Sequence, residues 1–422
     1  TFVVNSEHAY RLVQHLHGLL VDKFAGGVFG ETWERLTGGA PSAKAAAKPW
    51  WVKKKAQLLD IGAQRDATYV YDRDSIEQAV AALRSLKSVD AVFYAMKANP
   101  NREILKIVDA GGLNFECVSP GEIARVLEVI PGIDRKRILF TPNFAPRSEY
   151  EQALEQGVWV TLDNLFPLKE WPKSFKGKEL FVRIDTGQGR GHHEHVRTAG
   201  AHSKFGIPLF EIDELVEATE KAGARIVGLH AHTGSGVLAA SAWLDTGRQL
   251  LKLLEKLPDV RYIDVGGGLG VPEKAGQPPF DLQALDTALA EIKQGCGGRS
   301  LFLEPGRFIV APAGVIVARV TQTKGKGDVQ YVGVGTGMNT LIRPALYGAY
   351  HEIVNLTRLG KPATELVTIV GPICETGDRL GSDRLLPAAK ENDVLLIANA
   401  GAYGYAMSSR YNLREPAQEV LI

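Results

Sequence analysis

The sequence predicts an α/β protein: a (β/α)8 barrel of the TIM type, followed by a C-terminal β-rich domain of sandwich-like or barrel-like form. From residue 90 onward, eight apolar, β-branched or aromatic runs alternate with amphipathic stretches. Such alternation is typical of parallel strands joined by crossover helices, and eight strands favour a closed barrel. After Arg307 the strand-like segments are separated by turns, with little helix between them. Periodicity alone leaves a doubly wound open sheet as the alternative to the barrel.

Each predicted barrel strand is a short apolar run, and most are followed by a longer amphipathic stretch. The eight runs are Ala91–Met96, Leu113–Val118, Ile138–Thr141, Val158–Leu162, Leu180–Ile184, Ile226–Leu229, Val260–Val265 and Leu301–Leu303. The clearest helical stretches are Ser75–Leu86, Gly121–Ile130, Phe210–Ala222 and Ala239–Leu257. The strand-like runs of the β-rich region are Phe308–Val320, Val329–Val334, Glu365–Val370 and Asp393–Ile397. We therefore expect the barrel over residues 85–308 and the β-rich domain from residue 309 onward.

Residues 1–65 look separate from both regions. Phe2–Val4 is strand-like, and Ser6 stands as the N-cap of a helix whose apolar residues recur at helical spacing as far as Leu20. The small-residue, lysine-containing stretch Ala40–Lys48 is typical of a linker. We expect a helical extension and linker here. The two tryptophans and three lysines of residues 50–55 predict a packing contact with solvated lysines rather than a membrane-surface patch.

The composition excludes several classes of protein. Hydrophobic residues make up 45% and charged residues 23% of the 422, which excludes a chain disordered throughout. The net charge of +1 gives no electrostatic case for nucleic acid or an anionic membrane as the main partner. No apolar run approaches the roughly 20 residues of a membrane-spanning helix. Three cysteines, Cys117, Cys296 and Cys374, predict a reducing, cytoplasmic location.

Candidate functional residues follow the predicted strands, where the active sites of such barrels lie. Lys97 ends the first strand, and a desolvated lysine with a lowered pKa favours covalent chemistry with an aldehyde. Taken alone, a surface lysine explains the same residue. His230 and His232 end the sixth strand on one face of it, although a neutral core histidine is the common alternative.

The seventh and eighth predicted strands end in residues suited to an anion. Backbone N–H groups of Gly266–Gly268 can converge on a phosphate, although a tight turn explains three glycines equally well. Glu304 can hold a proton on a heteroaromatic nitrogen, and Arg307 can bind a carboxylate or phosphate in bidentate fashion. A structural ion pair is the alternative for these two. Together with the lysine and a ring-sized histidine, these groups match the aldehyde, phosphate, ring face and pyridine nitrogen of pyridoxal phosphate.

Over roughly residues 66–415 the sequence resembles the fold-type III pyridoxal-phosphate-dependent decarboxylases. The resemblance is carried by eight motifs in the family's order, which makes it far more specific than any single motif. They are Tyr94–Asn99, Ser203–Ile207, His230–Ser235, Asp264–Gly270, Glu304–Arg307, Arg343–Tyr347, Gly371–Asp378 and Gly401–Asn412. The resemblance implies pyridoxal 5′-phosphate as cofactor and loss of CO2 from an amino acid as the reaction.

The resemblance also implies a role for each matching residue. Lys97 would bind the cofactor aldehyde, His232 would stack on its ring, and Glu304 would keep its pyridine nitrogen protonated. Cys374 would donate the proton that replaces CO2, with Glu375 beside it. The residues implied to hold the phosphate are Ser235, Gly266, Gly267, Gly268, Glu304, Pro305, Gly306, Arg307 and Tyr403.

Family relatives are homodimers, so the resemblance implies that Cys374 and Glu375 enter the neighbouring subunit's site. It further implies that residues 66–84, with a strand near Thr68–Tyr71, join residues 309–422 in the β-rich domain. The extension 1–65 departs from the family, and we expect it to pack on the barrel or the dimer. A bolder hypothesis connects it to an upstream enzyme of the aspartate pathway, such as an aspartate kinase.

The spelling of the residues from Arg343 to His351 resembles the branch of the family that acts on meso-2,6-diaminopimelate. This substrate carries an ammonium and a carboxylate at its far end. Arg307, Arg343 and Tyr347 can clamp that carboxylate, while Glu375 pairs the ammonium and Tyr403 adds a contact. A surface arginine and a core tyrosine are the alternatives for Arg343 and Tyr347. The expected reaction yields L-lysine and CO2, the last step of lysine biosynthesis.

Two rival functions remain open at this point. The same chemistry on ornithine, arginine or a carboxylated polyamine is the nearest, although two arginines would repel a purely cationic end. A non-catalytic, cofactor-binding regulator is the other, and the joint presence of Lys97, Cys374 and Glu375 disfavours it. His192, His193 and His195 with Glu194 follow the glycine-rich segment Gly187–Gly191, which gives no rigid element to fix ligand geometry. We therefore expect no metal, and instead a flexible active-site loop before Ser203.

Overall fold

The computed structural model describes residues 48–187, 190–191, 203–274 and 277–422, and Trp50–Ile422 form one compact unit. The strands are β1 Ala67–Tyr71, β2 Ala91–Ala95, β3 Asn114–Cys117, β4 Ile138–Phe140, β5 Trp159–Leu162, β6 Glu179–Asp185, β7 Arg190–Gly191, β8 Ile207–Pro208, β9 Arg225–His230, β10 Gly234–Ser235, β11 Tyr262–Asp264, β12 Ser300–Leu303, β13 Gly314–Lys326, β14 Val329–Val334, β15 Ile353–Asn355, β16 Glu365–Val370, β17 Arg379–Leu386, β18 Val394–Ile397 and β19 Gln418–Leu421.

Eight parallel strands close into a barrel. Going round it, the strands follow the order β2, β3, β4, β5, β6, β9, β11 and β12, and β12 pairs with β2. The additional pairing of β5 with β6 completes the ring of eight strands, so the barrel is closed. The barrel predicted from the eight apolar runs is confirmed, and the open doubly wound sheet is excluded.

Helices connect most of the strands, and polar caps fix several of their starts. The side chains of Asp72, Asn101, Ser119 and Asp281 accept backbone N–H groups of the turns that follow them. The α-helices are Trp50–Lys53, Lys55–Gln64, Arg73–Arg84, Arg102–Ala110, Pro120–Val129, Arg147–Glu155, Phe166–Glu170, Pro172–Phe175, Ile212–Ala222, Ser241–Leu251, Leu282–Gly295, Arg307–Val310 and Arg343–Tyr347. Within the described ranges, none of these helices has the length and apolar character needed to cross a bilayer.

A separate apolar cluster fills one part of the barrel. It draws one bulky side chain from each of six barrel strands: Phe93, Leu139, Trp159, Phe181, Val227 and Phe302. Gly228 gives Phe181 its room, because a Cβ at Gly228 would lie 2.1 Å from that ring. These residues precede the polar residues that end the same strands, so polar chemistry is confined to the carboxyl ends.

A second, mainly antiparallel sheet forms the β-rich region. Its strands follow the order β15, β18, β13, β14, β16 and β17, with β1 also paired to β13 and to β19. The predicted strand near Thr68–Tyr71 therefore lies among the C-terminal strands. Because Trp50–Ile422 form a single compact unit, the domain borders at residues 66, 85 and 309 stay predictions.

The predicted strand Phe308–Val320 is wrong at its start. Residues Arg307–Val310 form one helical turn, in which the N–H of Ala311 donates to the carbonyl of Arg307. Pro312 cannot donate a backbone hydrogen bond and ends that turn. The strand begins only at Gly314, whose Cβ position would lie 2.3 Å from Gly401.

The expected packing of the N-terminal extension on the barrel is wrong for the part that the structure describes, because the end of the extension packs chiefly on the β-rich sheet. Leu58 is buried there, and Gly62 lies so close to Val394 that a Cβ would come within 2.7 Å. Trp50 donates its indole N–H to the carbonyl of Pro312, which agrees with the packing contact predicted for the tryptophans. The predicted strand at Phe2–Val4 and the helix after Ser6 lie outside the described residues, and the connection to an upstream enzyme stays a prediction.

Candidate active site

The carboxyl ends of the barrel strands surround a cavity of about 350 Å³. This volume falls within the range of small-molecule sites. Its polar lining comes from six different strands or the turns after them, as expected for the catalytic face of such a barrel. The lining residues are Lys97, Glu116, Val118, Thr141, Asn143, Arg183, Phe205, His230, His232 and Glu304.

Lys97 lies in a short 3-10 turn, Met96–Ala98, directly after β2. Its Nζ donates to a carboxylate oxygen of Glu116 on β3, and Thr141 donates to the other oxygen. Burial alone would lower the pKa of Lys97, but the negative charges of Glu116 and Glu304 raise it above its ordinary value. The lowered pKa expected from sequence is therefore wrong, because Glu116 was not foreseen. The ammonium is held in place by a buried carboxylate while over a third of the side chain stays exposed.

Glu304 follows β12 and is almost fully buried. One of its oxygens lies 3.2 Å from Nε2 of His230, and the other has no hydrogen-bond partner among the described residues. Burial would raise the pKa of Glu304, but the charge and hydrogen bond of His230 hold it below its ordinary value. Burial and the Glu304 charge raise the pKa of neighbouring Asp264. Of the two acids, Glu304 is thus the ionised one.

His232 and the glycine segment Gly266–Gly268 are joined by a hydrogen bond. The N–H of Gly267 donates to Nδ1 of His232 over 3.2 Å. Burial and the positive charge of Arg183 lower the pKa of His232 to about 3, so the ring is neutral. A Cβ at Gly267 would lie 2.0 Å from the carbonyl oxygen of Glu304, and Gly266 and Gly268 have φ angles of +70° and +96°. The three glycines are therefore required by the backbone path as well as by any ligand.

Ser235, Arg307 and Tyr403 lie close together. An Nη of Arg307 donates to Oγ of Ser235 over 2.9 Å, and the guanidinium lies 4.9 Å from the centre of the Tyr403 ring. The N–H of Tyr403 donates to the carbonyl of Ala98, next to Lys97. Pro305 and Gly306 form the turn before Arg307, where a Cβ at Gly306 would lie 2.9 Å from the carbonyl oxygen of Ala95. The structure thus brings Ser235, Arg307 and Tyr403 together beside the turn that carries Lys97, although none of these three is among the residues that line the cavity.

Arg343 is buried at the start of the short helix that Tyr347 ends. Burial and the nearby positive charge of Arg307 lower the pKa of Arg343 to about 10. Nη1 donates to His351, whereas Nη2 has no hydrogen-bond partner among the described residues. Two guanidinium groups held close together in this way favour an anionic ligand.

Cys374 and Glu375 do not line the cavity. They lie exposed in the loop Gly371–Asp378 between β16 and β17. The N–H of Cys374 donates to the side chain of Asn412, and the hydroxyl of Tyr411 donates to Glu375. Their predicted entry into a neighbouring subunit's site stays a prediction.

Sequence reasoning missed Glu116 and Arg183 and gave His230 no role. Each of the two missed charges lies inside a barrel strand, where one charged residue interrupts an apolar run. Such a charge in a closed barrel has only the interior or the helix layer to face, and this was the available signal. Arg183 lies 3.8 Å from Asp163 and 4.3 Å from the centre of the Phe205 ring, at the wall of the cavity. The metal site considered at His192–His195 lies outside the described residues.

The residues present fit pyridoxal phosphate. The unpartnered oxygen of buried Glu304 suits a protonated pyridine nitrogen, which is a donor of the right charge. Lys97 supplies an amine at the same cavity, and His232 offers a neutral ring face. Nε of Arg307 is buried and also without a hydrogen-bond partner in the described part of the chain, beside a glycine segment of anion-binding type.

Comparison with known proteins agrees with this fit. Residues 73–311, more than half of the chain, match the family described as pyridoxal-dependent decarboxylase, pyridoxal binding domain. The diaminopimelate decarboxylase of Methanothermobacter thermautotrophicus is 35% identical over 370 residues, covering 84% of this chain and 86% of the relative. That of Escherichia coli K12 is 33% identical over 372 residues, covering 84% and 88%.

Solved structures show the same likeness. The crystal structure of diaminopimelate decarboxylase from Helicobacter pylori, complexed with L-lysine, aligns with a TM-score of 0.76 at 29% identity, covering 85% of this chain and 92% of that one. The M. jannaschii diaminopimelate decarboxylase in co-complex with L-lysine aligns with a TM-score of 0.77 at 27% identity, covering 86% and 89%.

Proposed function

This chain belongs to the pyridoxal-dependent decarboxylases, and from that premise we propose that it converts meso-2,6-diaminopimelate to L-lysine and CO2. The observation that carries the substrate is the pair Arg307 and Arg343, whose positive charges act on each other and which both lie near Tyr403. Burial and Arg307 lower the pKa of Arg343 to about 10, and Nη2 of Arg343 lacks a partner among the described residues. Such a pair attracts a ligand that carries a carboxylate at its far end.

Pyridoxal phosphate, when bound, supplies an electron sink for the electron pair released as CO2 departs. Lys97 would bind its aldehyde carbon, and Glu304 would accept a hydrogen bond from its pyridine nitrogen. His230 holds Glu304 ionised, so that the proton stays on the ring nitrogen. His232 would lie against the ring. The N–H of Gly268, with Ser235 and Arg307, would hold the phosphate, because the N–H groups of Gly266 and Gly267 already donate to Asp264 and His232.

Glu116 prepares Lys97 for its part. Its carboxylate is almost fully buried and accepts from Nζ, which aims the amine into the cavity. A carboxylate that accepts a hydrogen bond from the ammonium can take a proton from it when the amine must act as a nucleophile. Thr141 holds the other oxygen, so the carboxylate cannot rotate away.

The far end of the substrate would lie at the rim. Arg307 and Arg343, with the hydroxyl groups of Tyr347 and Tyr403, would bind the distal carboxylate, and Glu375 would pair the distal ammonium. A substrate that ends in an ammonium alone gains nothing from the two arginines and is repelled by them. This arrangement would select diaminopimelate over ornithine or arginine.

The proton that replaces CO2 would come from Cys374 of the neighbouring subunit in a homodimer. Support for this sharing is that Lys97 and Cys374 lie in different places: Lys97 lines the cavity, whereas Cys374 is exposed on a loop of the β-rich sheet. A second copy can bring its own loop to the mouth. A thiol in this role must stay reduced, which supports a cytoplasmic location.

The direct test measures lysine release from meso-diaminopimelate with and without added pyridoxal phosphate. We expect turnover that depends on the cofactor, with ornithine and arginine turned over at least about a hundredfold less efficiently, the scale set by losing one charged contact. A clear preference for ornithine would contradict the substrate assignment. Cofactor binding without any turnover would contradict the assignment as an enzyme and favour a non-catalytic regulator.

Mixing two inactive variants tests the shared site. Lys97→Ala and Cys374→Ala should each be inactive alone, but a mixed dimer contains one site with both groups intact. Random mixing should therefore restore about a quarter of the wild-type turnover. No recovery, with mixed dimers shown to form, would place both groups in one chain's own site and contradict sharing.

A further inference from the structure

We propose that His351 is a positioning residue, whose neutral ring fixes the Arg343 guanidinium and so sets the affinity for the substrate's distal carboxylate. The inference rests on the proposed function, because it takes the Arg343 guanidinium as the group that meets that carboxylate. The sequence motifs give His351 no role beyond its place at the end of the segment Arg343–His351.

The hydrogen bonds of His351 fix its tautomer. Nδ1 lies 2.8 Å from the carbonyl oxygen of Ala398, which can only accept, so Nδ1 carries the proton. Nε2 is then an acceptor, and it receives the N–H of Arg343 Nη1 over 3.0 Å. A neutral ring is also what burial and the adjacent Arg343 charge impose, since they lower the pKa of His351 to about 3.

Water cannot take over the role of Nε2. His351 is 0% exposed and Arg343 is 3% exposed, so loss of the acceptor would leave a buried guanidinium N–H without a partner. Arg307 repels Arg343, and Glu273, whose negative charge attracts it, forms no ion pair with it among the described residues. His351 is therefore the hydrogen-bond acceptor that anchors one side of the guanidinium, while Nη2 on the other side is buried and has no hydrogen-bond partner among the described residues.

The sheet fixes His351 in turn. β15 begins two residues later and pairs with β18, so that Ile353 faces Ile397. The N–H of Ala398 donates to the carbonyl of Glu352 over 2.8 Å, which ties the acceptor of His351 to the residue after it. The position of Arg343 thus depends on a rigid strand pair as well as on its own five-residue helix.

Two variants separate the two ring nitrogens. In His351→Asn the amide can still donate to Ala398 but has no atom at the place of Nε2. In His351→Gln the amide oxygen can reach that place and accept from Arg343. Tyr350→Phe is the matched control, because it removes the neighbouring hydroxyl that donates to Glu352 without touching Arg343. Melting temperatures identify the conditions in which all variants are folded.

The readout is ligand affinity of the cofactor-loaded enzyme, measured with L-lysine and with cadaverine. Lysine keeps the far ammonium and carboxylate of the substrate, whereas cadaverine lacks the carboxylate. We expect His351→Asn to weaken L-lysine binding about tenfold and leave cadaverine binding unchanged, with KM rising more than kcat falls. His351→Gln and Tyr350→Phe should both stay close to wild type.

Three results would overturn the inference. Unchanged lysine affinity in His351→Asn would show that Arg343 needs no anchor. Equal losses for lysine and cadaverine would show a general structural role. Failure of His351→Gln to recover lysine affinity, in a folded protein, would show that the acceptor is not what matters. If the wild-type enzyme and Arg343→Met both bind lysine and cadaverine equally well, the proposed substrate site itself fails, which is a different outcome from all three.

Discussion

The mouth of the barrel and the loop Gly371–Asp378 present their reactive groups in opposite ways. At the mouth, Lys97, Glu304 and His232 are fixed by buried partners from neighbouring strands. In the loop, Cys374 and Glu375 are exposed, and Glu375 has the hydroxyl of Tyr411 as a hydrogen-bond partner. The barrel mouth is arranged to bind a ligand with groups from one chain, whereas the loop needs a second surface to cover its reactive groups.

This difference separates binding from turnover. A site whose charges are already paired and buried needs no rearrangement to accept a ligand. An exposed thiol and carboxylate act only where another surface covers them. We therefore expect substitutions in the barrel to change cofactor binding, and substitutions in the loop to change turnover or substrate binding while leaving cofactor binding unchanged.

The largest effects on turnover should come from Lys97→Ala at the barrel mouth and Cys374→Ala in the loop. Both variants should lose turnover, Cys374→Ala by about 10²–10⁴-fold, the usual contribution of a positioned proton donor. Only Lys97→Ala should lose the absorbance of cofactor bound covalently to the protein. Absorbance spectra and lysine release on the same samples check this. Normal turnover in Cys374→Ala would remove the thiol from the reaction.

A pair of glycines gives the next largest effect. In Gly267→Ala the new Cβ would lie 2.0 Å from the carbonyl oxygen of Glu304, whereas nothing lies within 4 Å of a Cβ at Gly377 in the loop. We expect Gly267→Ala to weaken cofactor affinity at least about tenfold through the displaced backbone, and Gly377→Ala to leave it unchanged. Titration of the cofactor-free protein with pyridoxal phosphate measures both. Equal affinities would contradict the rigid cradle.

The smallest effect concerns a half-buried carboxyl on a helix of the barrel. Glu122 accepts the N–H of Val118 over 2.7 Å, and burial raises the pKa of Glu122 to about 7. The unfolded chain gives up the Glu122 proton at a lower pH than the folded protein does. The contribution of Glu122 to the free energy of unfolding therefore falls as the pH rises through 7. Glu122→Gln should therefore stabilise the protein by about 1–2 kcal/mol at pH 8 and much less at pH 5.

Thermal unfolding at the two pH values tests this. Glu155→Gln, which removes a carboxylate exposed on a helix, is the control and should shift the melting temperature equally little at both. A pH-independent gain in Glu122→Gln would indicate improved helix propensity rather than relief of a buried charge.

The barrel strands were predictable because each is a buried, apolar run with a polar residue at its end. The β-rich strands were harder. β17 reads Arg-Leu-Gly-Ser-Asp-Arg-Leu-Leu, with charges and a register shift against β16, and β15 has only three residues. Short or polar edge strands carry little periodic signal. The turn Arg307–Val310 was missed for the opposite reason, because its apolar residues are buried as a strand's would be.

The site was predictable where a motif stands at a strand end, as at Lys97, Gly266–Gly268 and Glu304. It was not predictable where the function depends on a partner. Glu116 follows Phe115 inside β3, and only the closed barrel shows that it meets Lys97. The orientation and tautomer of His351 likewise depend on the carbonyl of Ala398, a residue 47 positions away. Pairings between distant strands are set by the fold as a whole rather than by local sequence.

The pairing of β1 with β19 has a consequence for how the molecule is made. Thr68 lies beside Gln418, so the first strand of this sheet finds one of its two neighbours only after about 350 further residues have been synthesised. Tyr403, which donates to Ala98 beside Lys97, arrives almost as late. Contacts so distant in sequence form slowly. During translation the barrel strands are therefore available well before Tyr403, and the nascent chain cannot complete the proposed cofactor site until Tyr403 has been synthesised.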